Sequence, residues 1–186
     1  MGNRLSRIAT RTGDDGSTGL GDGSRTTKNS FRIDAIGEID ELNSLLGVLL
    51  TEPLPDDVAV LLRQIQNDLF DLGAELCIPG HCIVGQKHVI RLDQALGHYN
   101  HELPPLQEFI LPGGSKGAAL THLARAVARR SERSIVALAS KEMVGTPVRQ
   151  YINRLSDLLF VLGRHLNRKS GKSDDLWRRD SDPESE

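Results

Sequence analysis

At 186 residues the chain is long enough for one well-buried domain, and two would be cramped. Hydrophobic residues make up 38% and charged residues 26%, with a net charge of −2, so a globular protein is favoured over one that binds nucleic acid or an anionic membrane. Two cysteines are too few for a disulfide scaffold, and we find no membrane-length apolar run and no signal peptide, so we expect a cytoplasmic protein.

The first 30 residues form a glycine-rich arm with almost no apolar periodicity. Five glycines lie between residues 13 and 23, among hydroxyl side chains. Glycines let a backbone approach a ligand closely and turn its N–H groups inward, so such an arm can cradle phosphates. It contains no Walker motif, and no apolar strand precedes it as in a dinucleotide-binding turn. A plain connecting segment is the alternative, and Lys28 would add cationic reach to the arm.

The next two elements are predicted helices. Apolar residues at helical spacing predict a first helix over residues 31–50. A line of small and polar residues runs beside its apolar stripe and includes Asp40. In such a line a carboxylate needs a cationic partner if another helix covers it, and is otherwise an ordinary exposed side chain. After a break at residues 53–55, a second helix with a leucine-rich stripe is predicted over residues 56–76.

The segment that follows gives weaker signals. Cysteines and histidines over residues 77–88 do not match the spacing of a common structural zinc site. A third helix is predicted over residues 87–103, and two prolines end it. An apolar run then leads into Pro-Gly-Gly and Ser115, which suits the cap of another helix. Phe109, in that run, is most simply a core side chain.

A dense charge cluster marks the fourth predicted helix, over residues 116–141. Its members are Arg125, Arg129, Arg130, Glu132 and Arg133. At 100° per residue, most of this cluster lies on the side opposite the apolar stripe. Guanidinium groups are planar and bind phosphate oxygens through paired donors. The cluster therefore favours phosphate binding, although an ordinary solvated helix face has the same pattern.

The fifth predicted helix has Thr146 as its cap and Pro147 at its first position. One row of its side chains is leucine-rich core. A second row, about 100° around the helix, holds Asn153, Asp157, Phe160 and Arg164. Beyond residue 167 the composition is polar, and we expect a mobile tail over residues 168–186. Five helices without strand alternation predict an all-α bundle over residues 31–167, preceded by the arm over residues 1–30.

Several motifs together resemble the PduO-type ATP:corrinoid adenosyltransferases, also called cobalamin adenosyltransferases. They are TRTGDDGST at residues 10–18, GEIDELNS at 37–44, FILPGG at 109–114, RAVARRSER at 125–133 and YINRLSD at 151–157. In this order and spacing they are highly specific. The resemblance implies a ferritin-like five-helix bundle assembled as a homotrimer, with active sites between subunits. It also implies transfer of the 5′-deoxyadenosyl group of ATP to the cobalt of reduced cobalamin, with release of triphosphate.

The resemblance further implies roles for individual residues. Those that would wrap the triphosphate are Thr10, Arg11, Thr12, Gly13, Gly16, Thr18 and Lys28. Those that match the nucleotide and Mg²⁺ surroundings are Arg129, Arg130, Glu132, Arg133 and Asn153, with Glu132 as the metal ligand. Arg125 would meet Asp40 across the subunit boundary, and these two belong with Arg129 and Asn153 to the implied catalytic set. Phe109 and Phe160 would line the lower face of the corrinoid, where apolar side chains expel the lower axial ligand and make cobalt easier to reduce.

The same resemblance implies partners. A flavoprotein or other reductase would supply electrons, and an adenosylcobalamin-dependent enzyme such as methylmalonyl-CoA mutase would use the product. A second hypothesis is a trimer that retains cobalamin and delivers adenosylcobalamin to a dependent mutase or dehydratase. A third is an oligomeric bundle that binds no ligand. One departure from the family pattern is Asp15, whose charge would repel a triphosphate unless it points away or faces the metal.

Overall fold

A computed structural model describes residue 9 and residues 11–179 and is built from five α-helices. They are α1 (Phe31–Leu49), α2 (Asp56–Cys77), α3 (Gln86–His101), α4 (Lys116–Ala139) and α5 (Thr146–Lys169). The predicted five-helix class is confirmed, with one small hairpin added in the arm. Within the described part of the chain, no helix combines the length and apolarity needed to cross a membrane.

Local chemistry explains where the helices that carry the charged cluster and the polar row begin. Ser115 caps α4 as predicted, since its hydroxyl accepts a hydrogen bond from the backbone N–H of Ala118 at 3.2 Å. The cap of α5 lies at Gly145, one position before the predicted Thr146, which is instead the first helical residue. Pro147 lies in the first turn, where a missing N–H costs no helical hydrogen bond.

The arm contains a strand pairing that the sequence pattern did not reveal. Strand β1 (Ser17–Gly19) pairs antiparallel with β2 (Arg25–Thr27). Strands of three residues are too short for apolar alternation to be recognised. The Arg25 guanidinium donates to the Thr12 carbonyl at 2.7 Å and to the Ser17 hydroxyl. A side chain reaching across the arm, rather than a hydrophobic face, therefore ties these turns together.

Helices α4 and α5 form the centre of the bundle. α4 packs against α1 and α5, α2 packs on α1, and α3 packs on α5. The predicted apolar stripes supply the core, including the fully buried Leu42, Leu46, Leu62, Leu69, Leu72, Ile135, Leu138, Leu155 and Leu159. A buried carboxylate links α2 to α3 and α5, because Asp68 accepts hydrogen bonds from Arg91 at 2.6 Å and from the Tyr151 hydroxyl at 3.0 Å. Burial and this carboxylate raise the pKa of Tyr151.

The segment after α5, predicted to be a mobile tail, makes specific contacts in the part that the structure describes. Leu176 forms an antiparallel bridge with Ile110, and the Arg164 Nε donates to Asp174 at 2.8 Å. Arg164 is only 4% exposed. The members of the predicted polar row on α5 therefore have different surroundings, since Arg164 is buried against the tail whereas Asn153 is exposed.

Candidate active site

Helices α3, α4 and α5 enclose a hollow of about 330 Å³, which we call the arginine hollow. Its lining residues are Leu96, Asn100, Arg125, Arg129, Ser156, Asp157, Phe160 and Val161. Arg125 and Arg129 reach it together because residues four apart share one face of a helix. Phe160 faces them from α5, which runs antiparallel to α4. The structure thus brings together three of the residues that the resemblance singled out.

Arg125 lies against Phe160 inside the arginine hollow. Its Cζ atom is 5.9 Å from the centre of the aromatic ring, within the range of a cation–π contact. Its Nε is buried and has no hydrogen-bond partner among the described residues. Burial, and next the charge of Arg129, lower the pKa of Arg125. A guanidinium remains charged in proteins, so a charged donor is left here without a hydrogen-bond partner among the described residues.

In the next turn of α4, Glu132 forms a polar pair with Asn153 of α5. The Asn153 amide donates to Glu132 Oε1 at 3.0 Å, which joins α5 to α4 close to Arg129. The exposed Arg133 donates to the Arg129 carbonyl at 3.1 Å. In the described part of the chain, no three metal-binding side chains come together. Glu132 is therefore a carboxylate that would need ligands from a bound molecule to complete a metal's coordination.

Arg130 faces a different way from the rest of the charged cluster. Its Nε donates to Glu38 at 2.6 Å, and its guanidinium also pairs with Glu41. These hydrogen bonds, to Glu38 first and then Glu41, raise the pKa of Arg130. A helical step of 100° carries residue 130 away from residue 129 and towards α1. Within one chain, Arg130 thus clamps α4 to α1 and does not line the arginine hollow.

The arm forms a second hollow, of about 370 Å³, which we call the arm hollow. Its lining includes Arg11, Thr12, Gly13, Thr18 and Lys28, all predicted to bind triphosphate. Gly16 contributes through a turn with positive φ, and its carbonyl accepts from the Lys28 N–H at 2.9 Å. The predicted residue Thr10 lies outside the described residues.

Asp40 lies beside the arm, in a third hollow of about 600 Å³ between the arm, α1 and α2. This hollow shares Thr18, Gly19 and Lys28 with the arm hollow, so the two adjoin, and we call them together the arm face. Asp40 is exposed, and no hydrogen bond or ion pair to its carboxylate occurs within the described residues. The arm face and the arginine hollow have no described lining residue in common.

Asp15 turns away from the arm hollow. Its carboxylate accepts hydrogen bonds from the Ser17 N–H at 2.9 Å and the Ser17 hydroxyl at 2.8 Å. These two bonds lower the pKa of Asp15. The charge is engaged in a local turn and is not among the residues that line the arm hollow. The departure from the family pattern at this position is therefore accommodated by a turn.

Phe109 occupies neither hollow and is not the core side chain that its apolar neighbourhood suggested. It is 77% exposed, in the loop between α3 and α4. Its carbonyl accepts a hydrogen bond from the Trp177 N–H at 2.8 Å, so its backbone is paired with the tail. Leu111, Leu176 and Trp177 on the same paired segments are exposed as well, and a group of exposed apolar side chains is typical of a binding surface.

Comparisons with known proteins decide the family. A family model described as cobalamin adenosyltransferase matches residues 8–166. The chain belongs to the cobalamin adenosyltransferase family. It is 62% identical to a cobalamin adenosyltransferase from Cupriavidus metallidurans, over 97% of this chain and 98% of the relative. It is 46% identical to a corrinoid adenosyltransferase from Mycobacterium leprae, over 96% of this chain and 98% of the relative.

Solved structures agree with the sequence relatives. A variant of the PduO-type ATP:corrinoid adenosyltransferase from Lactobacillus reuteri, complexed with cobalamin and ATP, superposes with a TM-score of 0.88 at 34% identity. The match covers 93% of this chain and all of that one. The resemblance to the PduO type that the motifs suggested is thereby confirmed.

Two residues of this adenosyltransferase escaped the sequence analysis. His122 is 3% exposed, and its ring lies 6.1 Å from that of Phe160, edge to face. A Cβ at Gly163 would come within 2.8 Å of the His122 Nε2, so glycine there makes room for the ring. A histidine among apolar helix positions is usually core, and only contacts between helices show that it lies behind Phe160.

Acid is expected to destabilise the protein through its buried histidines. Burial first, and then Arg125, lower the pKa of His122 below its ordinary 6.5, and burial also lowers the pKa of His165. The unfolded state therefore binds more protons, so this stability is complete above pH 6.5 and is lost as pH falls below it. We expect the free energy of unfolding to fall between pH 7.5 and pH 5.5, with His122 contributing to the loss, and urea unfolding at the two pH values measures it.

His122→Leu should retain the fold and lose less unfolding free energy over the same pH range. His81 is exposed, and His81→Leu should behave like the wild type. An unchanged pH dependence in His122→Leu would show that His122 is not one of the responsible groups.

Proposed function

We propose that this adenosyltransferase moves the 5′-deoxyadenosyl group of ATP to the cobalt of cob(I)alamin, forming adenosylcobalamin and triphosphate. The observation that carries the proposal is the convergence of Arg125, Arg129 and Phe160 in one hollow, next to the Glu132–Asn153 pair. Cationic forks suit a polyphosphate, and an apolar ring suits a corrinoid. The Lactobacillus reuteri relative complexed with cobalamin and ATP supports both as substrates.

The chemistry requires little acid or base from the protein. Cobalt(I) is a strong nucleophile that attacks the C5′ carbon; a cobalt–carbon bond forms, the C5′–oxygen bond breaks, and its electron pair leaves with triphosphate. The protein must align the two substrates and stabilise the charge on the leaving group. Arg129 supplies an exposed guanidinium for this task, and the arm offers Arg11 and Lys28, which line the arm hollow. Asn153 orients Glu132 through the hydrogen bond between them.

Glu132 fits a magnesium ion that accompanies ATP. Magnesium in nucleotide sites is held by one or two carboxylates, with phosphate oxygens and water in its other positions. The metal would neutralise negative charge on the triphosphate. Glu132 would then hold the metal, while Arg129, on the same helix, would face the phosphates.

We place the complete site between two subunits of a homotrimer. Arg125 has a buried Nε without a partner, whereas Asp40 has an exposed carboxylate without a partner among the described residues. Leaving a buried charged donor unpaired is costly, and a carboxylate from a neighbouring copy removes that cost. A ring of copies would bring the arm face of one subunit to the arginine hollow of the next. Phe160, with Phe109, would then meet the corrinoid.

Electron supply and product use would lie outside the chain. Cobalt(I) has to be made from cobalt(II), which supports a flavoprotein or other reductase as a partner. The product would pass to an adenosylcobalamin-dependent enzyme such as methylmalonyl-CoA mutase.

The reaction is tested by incubating the protein with ATP, Mg²⁺ and chemically reduced cobalamin. Formation of light-sensitive adenosylcobalamin with an equal amount of triphosphate is the expected result. Release of orthophosphate without adenosylcobalamin would instead identify an ATPase and contradict the proposal.

Mixing two inactive variants tests the location of the site between subunits. Asp40→Ala damages the arm face, and Arg129→Ala damages the arginine hollow. If each site takes one face from each of two neighbours, random mixed trimers should recover about one quarter of the wild-type sites. The measurement is adenosyl transfer after coexpression of both variants, compared with each variant alone. A site contained in one chain predicts no recovery, because every chain would still carry one defect.

A further inference from the structure

The loop between α3 and α4 is held by residues that come later in the chain. The Arg164 guanidinium donates to the Pro104 carbonyl at 2.9 Å, and the Asn167 amide donates to the Gly113 carbonyl at 3.1 Å. Between these points the loop carries Phe109, whose own side chain is largely in solvent. The position of Phe109 thus depends on α5 and on the segment that follows it.

That segment pairs with the loop as a short antiparallel ladder. The Leu111 N–H donates to the Asp175 carbonyl at 2.7 Å, and the Trp177 N–H donates to the Phe109 carbonyl at 2.8 Å. Ile110 lies between these bonds, directly opposite Leu176. The two bonds flank the Ile110–Leu176 pair, and one of them holds the carbonyl of Phe109 itself. The pairing of residues 175–177 with the loop therefore fixes the backbone from which the Phe109 ring projects.

A largely buried ion pair lies directly before this ladder. Arg164 is 4% exposed and its Nε donates to Asp174 Oδ2 at 2.8 Å. The other carboxylate oxygen, Oδ1, is buried without a hydrogen-bond partner among the described residues. Burying a charge with half of its acceptors unused is a poor way to gain stability, which favours a positioning role for the pair. Asp174 is thereby fixed against α5, directly before the ladder begins.

We infer that Arg164 and Asp174 are positioning residues for corrinoid binding, acting through the ladder to place Phe109. The inference rests on the proposed function, in which Phe109 meets the corrinoid. Loss of the pair should weaken use of cobalamin and leave use of ATP unchanged, because the arm and the arginine hollow lie outside the ladder. A pair that only stabilised the fold would affect both substrates alike.

The test compares Asp174→Asn with Asp174→Glu and with the control Asp175→Asn in the full-length protein. Asp175 contributes to the ladder through its backbone carbonyl, so its side chain can be changed without loss of the ladder. We expect Asp174→Asn to lower kcat/KM for cobalamin about tenfold, with KM for ATP within about twofold of the wild type. Asp174→Glu, which retains the charge, should restore most of the loss.

A double-mutant cycle with Phe109→Ala separates this route from others. If the pair acts through Phe109, Asp174→Asn should add less than about twofold in the Phe109→Ala background. An equal loss in both backgrounds, or a wild-type value for Asp174→Asn, overturns the inference. If Phe109→Ala itself leaves cobalamin kinetics unchanged, the corrinoid role of Phe109 fails and the inference fails with it. An effect of Phe109→Ala with a silent Asp174→Asn overturns the positioning pair alone.

Leu111→Pro provides a second route should Asp174→Asn not fold. Proline has no N–H, so this change removes the bond to the Asp175 carbonyl and leaves the buried ion pair intact. The same selective loss for cobalamin is expected, and unaltered kinetics would overturn the inference.

Discussion

Arg129→Ala is expected to lower the rate of adenosyl transfer at least about 100-fold. Its guanidinium lines the arginine hollow and is exposed, so it is available to the leaving triphosphate. In the proposed reaction, the electron pair released at C5′ accumulates on that group in the transition state, and a fixed cation there would lower the barrier more than it aids ground-state binding. The measurement is steady-state formation of adenosylcobalamin at saturating ATP and cobalamin.

The same variant should fold normally. An exposed side chain on a helix surface contributes little to stability, and alanine favours helix, so the unfolding midpoint should stay within about 2 °C of the wild type. Arg129→Lys should recover part of the rate, because the charge remains without the paired donors. Arg149→Ala, an exposed arginine in the first turns of α5, is the matched control and should keep full activity. Wild-type activity in Arg129→Ala would remove Arg129 from the catalytic set.

Gly114→Ala should produce the largest loss of stability among single changes in the loop. Gly114 has a φ of +103°, which side chains rarely adopt, and a Cβ there would overlap the Asn167 amide. That amide accepts from the Ser115 N–H at 2.9 Å and donates to the Gly113 carbonyl at 3.1 Å. Strain and two lost hydrogen bonds together predict a loss of about 3 kcal/mol. The thermal midpoint should fall by roughly 6–12 °C.

Gly171→Ala is the matched control for this change. Gly171 also has a positive φ, of +68°, but nothing lies within 4 Å of a Cβ placed there. It should therefore show the backbone strain alone, about 1 kcal/mol. Equal destabilisation by the two changes would mean that the Asn167 contact contributes nothing. Adding Asn167→Ala to Gly114→Ala should relieve part of the extra loss, since the overlapping amide is gone.

The helices were predictable because their signals are local. A 3.6-residue apolar period, Ser115 at a cap and Pro147 in a first turn each act within a few positions. The chemistry of the site was also readable, since Arg125 and Arg129 share a helix face by spacing alone. The small hairpin was not predictable, because Arg25 ties it together through contacts across the arm.

Adjacent charges illustrate the limit of a motif. Arg129 and Arg130 stand side by side in a segment that resembles a nucleotide site, yet only the first lines the arginine hollow. The partners of the second, Glu38 and Glu41, are on α1. A linear motif does not state which residue of such a pair faces a neighbouring helix, so the packing of α4 on α1 was needed to assign them.

The sequence by itself determined five helices and the family, and it predicted a set of residue types suited to phosphate, because periodicity and motif spacing are properties of the chain. Tertiary structure alone decided that Phe109 is exposed, that Arg164 is buried and that Gly114 must lack a side chain. The first two involve residues after α5, since Trp177 pairs with the backbone of Phe109 and Asp174 pairs with Arg164, whereas the third involves Asn167 within α5. Such contacts follow from how the helices and the tail pack against one another, and no local pattern encodes them.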